Sequence, residues 1–129
     1  MTSKILIVDD DPPIRELVRM VLTDAGYSVI LASDGVEAVE MFERENPHLV
    51  LLDILMPRRN GIDACKKIRE LQPNTEHTPI LMFTVSSSDE NRRRASEAGC
   101  DGYIIKPFDP EELVKEIEKH LTSRASSSS

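Results

Sequence analysis

A chain of 129 residues, 40% hydrophobic and 30% charged, is sized for one domain with a genuine core. A formal net charge of −7 argues against the clustered basic face that direct nucleic-acid binding requires. No apolar run approaches the roughly 20 residues of a membrane span, and Lys4 leads directly into a short apolar run and then acids, unlike a signal peptide, so a cytoplasmic protein is expected.

In chain order, Ile5-Leu-Ile-Val8 is a buried-strand run that ends in Asp9-Asp10-Asp11. Ile14, Leu17, Val18, Val21 and Leu22 then recur at helical spacing, with Asp11 as the expected N-cap, Pro12 at N1 and Gly26 as the stop. Ser28 to Leu31 predicts a weaker strand. Asp34, with Glu37 three residues on, has the spacing of a capping box for a helix that buries Val36, Val39 and Phe42 and closes at Asn46-Pro47. Leu49-Val-Leu-Leu52 runs into Asp53, and an irregular stretch to Gly61 precedes a helix carrying Ile62, Cys65, Ile68 and Leu71 inward.

Ile80-Leu-Met-Phe83 runs into Thr84. The polar helix opened by Ser86-Ser-Ser-Asp89 has only Ala95 and Ala98 as inward positions, and Gly99 ends it. Tyr103-Ile-Ile105 runs into Lys106-Pro107. Asp109-Pro110, with Glu112, starts the last helix, which packs through Leu113, Val114, Ile117 and Leu121. The domain is expected to occupy residues 1–122, with 123–129 a serine-rich tail or the start of a linker. Cys65 and Cys100 lack CxxC spacing and read as reduced thiols; His48, His77 and His120 read as surface or loop residues.

Strands alternating with helices imply an α/β domain with a parallel sheet and helices on both faces. The first, third and fourth runs are the most apolar, so they should be central. Open sheets of this kind bind ligands at the carboxyl edge of the strands, where carboxylates, a hydroxyl and an ammonium then converge.

With those residues in place, the chain resembles a receiver domain of the two-component response-regulator family over residues 4 to about 121. Ile-Leu-Ile-Val-Asp-Asp-Asp-Pro at 5–12 resembles the family's first strand and acid pair, and Leu-Leu-Asp-Ile-Leu-Met-Pro at 51–57, with Gly61, its phosphoacceptor strand and loop. Thr84, Lys106-Pro107-Phe108 and Tyr103 resemble the remaining signature positions. The resemblance implies a flavodoxin-like (βα)5 sandwich with strand order 2-1-3-4-5.

It also implies a chemistry. Asp53 would be the nucleophile that forms an aspartyl phosphate, drawing the phosphoryl group from a histidine kinase or phosphotransfer protein. Three acids in one site repel unless a cation offsets them, and Mg2+ (or Mn2+) suits hard oxygen donors. By resemblance Asp10 and Asp53 coordinate directly, Asp9 through water, and the Leu55 carbonyl completes the set. Lys106 and the Thr84 hydroxyl would take charge on two equatorial oxygens, and the Lys106–Pro107 peptide would be cis, aiming the lysine inward. Thr84 and Tyr103 would be the switch, repacking the face of the fourth helix, fifth strand and fifth helix toward an output partner or a second copy of the chain. Such a module is not an enzyme beyond its own phosphorylation and slow dephosphorylation.

Bland readings stand beside these. Asp11 is a cap or a site acid, Tyr103 a switch or an ordinary half-buried aromatic, and Arg92-Arg93-Arg94 a solvated surface or a partner contact. A magnesium phosphatase of the haloacid-dehalogenase kind also uses D-x-D, Thr and Lys, but Pro13 stands where its Thr or Val belongs, and Asp53 would be surplus. A receiver-like module that never sees phosphate is a third reading, against which the intact acids speak. Three positions depart from the family's usual residues or bear on access: Val85, where a very small residue is usual, and Leu55 and Ser86, neither suited to orient an attacking water. Together they suggest slow exchange with small phosphodonors and a long-lived phosphate. Asn60 stands where the family often has Asp, a turn substitution expected to be neutral.

Overall fold

The computed structural model describes residues 2–54, 60–72, 77–86 and 88–127, with side chains through residue 122. Each apolar run is a strand and each periodic segment a helix. The order is β1 (Lys4–Val8), α1 (Pro12–Asp24), β2 (Ser28–Ala32), α2 (Gly35–Glu45), β3 (Leu49–Leu52), α3 (Gly61–Leu71), β4 (Ile80–Thr84), α4 (Asp89–Ala98), β5 (Gly102–Ile105) and α5 (Pro110–Ser127). All pairings are parallel and the sheet runs β2-β1-β3-β4-β5, the order implied by the resemblance. The three most apolar strands are the central ones.

Side chains of a strand alternate between faces, and here the alternation divides the core in two. Leu6, Val8, Val50, Leu52, Ile80 and Met82 face the layer of α2, α3 and α4, while Ile5, Ile7, Leu49, Leu51, Leu81 and Phe83 face α1 and α5. All twelve are within 1% of full burial, which explains runs without polar interruption.

The helix signals hold with local differences. Asp11 has the extended backbone of an N-cap, but its side chain makes no capping bond; instead its N–H donates to Asp9 Oδ1 at 3.0 Å. Asp34 caps Glu37 N at 2.8 Å, while Glu37 reaches back to Ser33 N, one residue before the cap. Asn60 caps α3, its Oδ1 accepting from Asp63 N at 3.0 Å, a bond that an Asp in the same place would also accept. Leu17 and Leu71, assigned inward from spacing, are exposed, since both lie at the rim of their apolar stripes. His120 lies on α5 and is partly buried, close to Gly102. The backbone of α5 stays helical past Leu121, the last large apolar residue, to Ser127.

Candidate functional site

Strand register builds the site. Val8 pairs with Leu52, so Asp9 and Asp53 leave the sheet side by side, and Asp53 N donates to Val8 O at 3.0 Å. Thr84 pairs with Ile105, so Lys106 follows at the same edge, with its N–H bonded to Thr84 O at 2.8 Å. The Lys106–Pro107 peptide is cis. Arg15, one turn into α1, donates to the Asp9 carbonyl at 2.8 Å and fixes the first βα turn. Acids separated by more than forty residues thus become neighbours.

One carboxylate oxygen from each of Asp9, Asp10 and Asp53 lies within 4.8 Å of the others. Asp9 and Asp53 are buried, whereas Asp10 is exposed. The Lys106 ammonium contacts Asp9 Oδ2 and lies 3.2 Å from Asp53 Oδ2. Its stem passes Phe83, the nitrogen standing 5.0 Å from the ring centroid, and Phe108 packs edge-on against that ring. Burial alone would favour the neutral amine; the Asp9 and Asp53 carboxylates outweigh it and raise the lysine above its ordinary pKa.

Thr84 is fully buried on the α4 side of the sheet, and its Oγ1 accepts from Ser86 N at 3.3 Å. Tyr103, two residues before the end of β5, packs partly buried against the same core layer, and its hydroxyl donates to Ser86 O at 2.8 Å. Burial raises this phenol above its usual pKa. The Ser86 hydroxyl accepts from Asn91 Nδ2 at 2.7 Å and so points into α4 rather than the acid pocket. Val85, expected to narrow access, is 63% exposed. Leu55, expected to offer its carbonyl, lies outside the described residues.

Gly61 stands out in the sequence with the loop after Asp53, but its physical reason, and the part of Arg92, come only from the fold. Gly61 is required by proximity: a Cβ there would sit 2.1 Å from the Asp53 carbonyl oxygen. Arg92 lies over the Tyr103 ring, 4.5 Å from its centroid, and no spacing rule pairs a helix residue with a strand aromatic eleven positions later.

The donor set fits a hard divalent cation: three carboxylates, two of them buried, with one lysine among them. A parallel α/β sheet with this pocket at its carboxyl edge defines a receiver-type domain. The chain matches the response regulator receiver domain over residues 5–118. It is 43% identical over 127 residues to the transcriptional regulatory protein ResD of Bacillus subtilis (strain 168), covering 98% of this chain and 51% of that protein. A CheY-like response regulator receiver domain protein from Methanospirillum hungatei JF-1 superposes with a TM-score of 0.92 at 32% identity, covering 98% of this chain and 99% of that one. The receiver domain of sensor histidine kinase PA1611 from Pseudomonas aeruginosa PAO1, solved with magnesium coordinated in its active site cleft, gives 0.86 at 30% identity, over 95% and 99%. The chain belongs to the response regulator receiver domain family, a signalling family in which phosphorylation falls on an aspartate. It spans about half the length of the curated relatives it matches. Among the described residues no helix is long and apolar enough to cross a membrane.

Proposed function

We propose that Asp53 is the phosphoacceptor of a cytoplasmic phosphorelay and that a histidine kinase or phosphotransfer protein is its donor. The observation that carries this reading is the position of the Asp53 carboxylate, within 4.8 Å of two further acids and 3.2 Å from the Lys106 ammonium. An Asp53 oxygen attacks phosphorus in line as the bond to the donor's imidazole nitrogen breaks; the P–O bond forms and the electron pair returns to the ring. Lys106 takes charge on one equatorial oxygen and the Thr84 hydroxyl donates to another. Asp10 and Asp53 would hold Mg2+ or Mn2+ directly, with Asp9 acting through water and the carbonyl of Leu55 completing the set by resemblance to the family. Bound there, such an ion would offset charge on the remaining phosphoryl oxygen.

Signal leaves through the face of α4, β5 and α5, with Thr84 and Tyr103 as the switch. The recipient is an output domain or protein, and phosphorylation favours pairing of two copies through the same face. Residues 1–122 form the receiver, with 123–129 a serine-rich tail or the start of a linker. The chemistry is confined to the chain's own aspartate, with slow hydrolysis; Ser86, whose hydroxyl accepts from Asn91, offers little reach to a water.

Beryllofluoride with Mg2+ tests the reading. The expected result is a set of amide NMR shifts around residues 53, 84 and 106 that Asp53→Asn abolishes. No response in the unaltered protein, or an equal response in Asp53→Asn, overturns it.

A further inference from the structure

We infer that Arg92 is a positioning residue for the phosphorylation switch, holding Tyr103 on the Thr84 loop before any phosphate arrives. The inference deepens the phosphoacceptor reading and rests on it. Ser86 is the node. Its N–H donates to Thr84 Oγ1 at 3.3 Å, its carbonyl accepts from Tyr103 OH at 2.8 Å, and its hydroxyl accepts from Asn91 Nδ2 at 2.7 Å. The Arg92 guanidinium then covers the Tyr103 ring at 4.5 Å. A continuous path therefore leads from the Thr84 hydroxyl to adjacent residues of α4.

Physical chemistry assigns the arginine its part. Tyr103 is only partly buried, so packing alone leaves its ring free to rotate toward solvent. A guanidinium on the ring face attracts the aromatic quadrupole and closes the solvent side. That keeps the hydroxyl on Ser86 and, through Ser86 N, keeps Thr84 Oγ1 oriented. The N-terminal turn of α4 is itself fixed, because Ser88 Oγ caps Asn91 N at 3.1 Å. Arg92 thus works from a rigid base. Preorganising the loop spares an incoming phosphoryl group part of the ordering cost.

The chain has two tyrosines, so 13C-tyrosine NMR reads Tyr103 with Tyr27, on the opposite face of the sheet, as internal control. In the absence of any phosphate analogue, Arg92→Ala should move the Tyr103 ring resonances toward their unfolded values and leave Tyr27 unmoved. Arg92→Lys should restore part of the effect, Arg92→Gln none, and Arg94→Ala should resemble the unaltered protein. With Mg2+ present, Arg92→Ala should weaken apparent beryllofluoride affinity about two- to fivefold, the scale of one partly exposed cation–π contact. An unmoved Tyr103 resonance in Arg92→Ala overturns the inference, and so does an unchanged beryllofluoride affinity. If the unaltered protein ignores beryllofluoride, the phosphoacceptor reading fails, and the tyrosine resonances alone decide on Arg92.

Discussion

Lys106 Nζ lies 3.2 Å from Asp53 Oδ2, with the lysine side chain only 10% exposed. The same ammonium contacts Asp9, so one cation stands between two buried carboxylates drawn from β1 and β3. The pocket is therefore partly neutralised by the chain itself, and the charge that is left is the charge a divalent ion would meet.

Removing that cation should leave buried acids uncompensated. Lys106→Met is expected to destabilise the protein by about 3 kcal/mol, the scale for breaking a buried pair from one side. Added Mg2+ should recover much of the loss, because it replaces the missing charge. Urea unfolding with and without Mg2+ measures both effects. Equal stability of the two proteins in the metal-free state would show that the ion pair contributes nothing net.

The same lysine sets an alkaline limit. Burial works against its charge, but Asp9 and Asp53 hold its proton more tightly in the folded chain than the ordinary value of 10.5. Its stabilisation is therefore complete below pH 10.5 and is lost as pH rises through the higher folded value. Unfolding midpoints measured between about pH 9 and 12 should fall more steeply for the unaltered protein than for Lys106→Met. Parallel curves would contradict the sign.

Gly61→Ala should disturb Asp53 without touching a charged group. The new methyl would lie 2.1 Å from the Asp53 carbonyl oxygen and 2.8 Å from its carbon, both backbone atoms that have no rotamer to escape into. Overpacking of this kind costs about 1–3 kcal/mol. Displacing the nucleophile should also slow phosphorylation by about tenfold or more. Urea melts and acetyl-phosphate labelling measure the two separately; wild-type values in both would mean that the turn yields freely.

What could be read in the chain was whatever depends on short spacing. The apolar runs gave strand positions and centrality, and their last residues marked one edge, so Asp9, Asp53, Thr84 and Lys106 were legible together. Leu17 and Leu71 were misassigned because a helical stripe does not reveal how wide its cover is. The cap bond of Asn60 was not foreseen because it depends on backbone geometry rather than composition. Arg69 was invisible for a related reason: its partners are the Gly99 and Thr78 carbonyls and the Asp101 carboxylate, at 2.9, 2.8 and 2.7 Å, and only the completed fold gathers them. The hold of Arg92 on Tyr103 belongs to the same class.

Burial should make the cysteines inert. Cys65 is fully buried and its thiol is pushed up to about 12, while Cys100, half-buried, is raised as well. At pH 8 the Cys65 thiolate is then about one part in ten thousand. A thiol reagent such as Ellman's should label the native protein slowly and release two equivalents at once in denaturant. Fast labelling of Cys65 in the native state would mean that α3 opens far more readily than its packing suggests.

Val85 follows Thr84 at the carboxyl edge, and at 63% exposure its branched side chain is not committed to the core. Shortening it should therefore cost little stability, which separates access from folding. If the valine crowds the approach to Asp53, Val85→Ala should speed labelling by acetyl phosphate by about threefold, under 1 kcal/mol of barrier. Transfer from a protein donor should change less, because a docked partner brings its phosphoryl group along a fixed path rather than by free diffusion. Comparing the two donors on the same pair of proteins makes the measurement specific. An equal gain with both would point to altered chemistry at Asp53, and no gain with either would remove Val85 from the control of access.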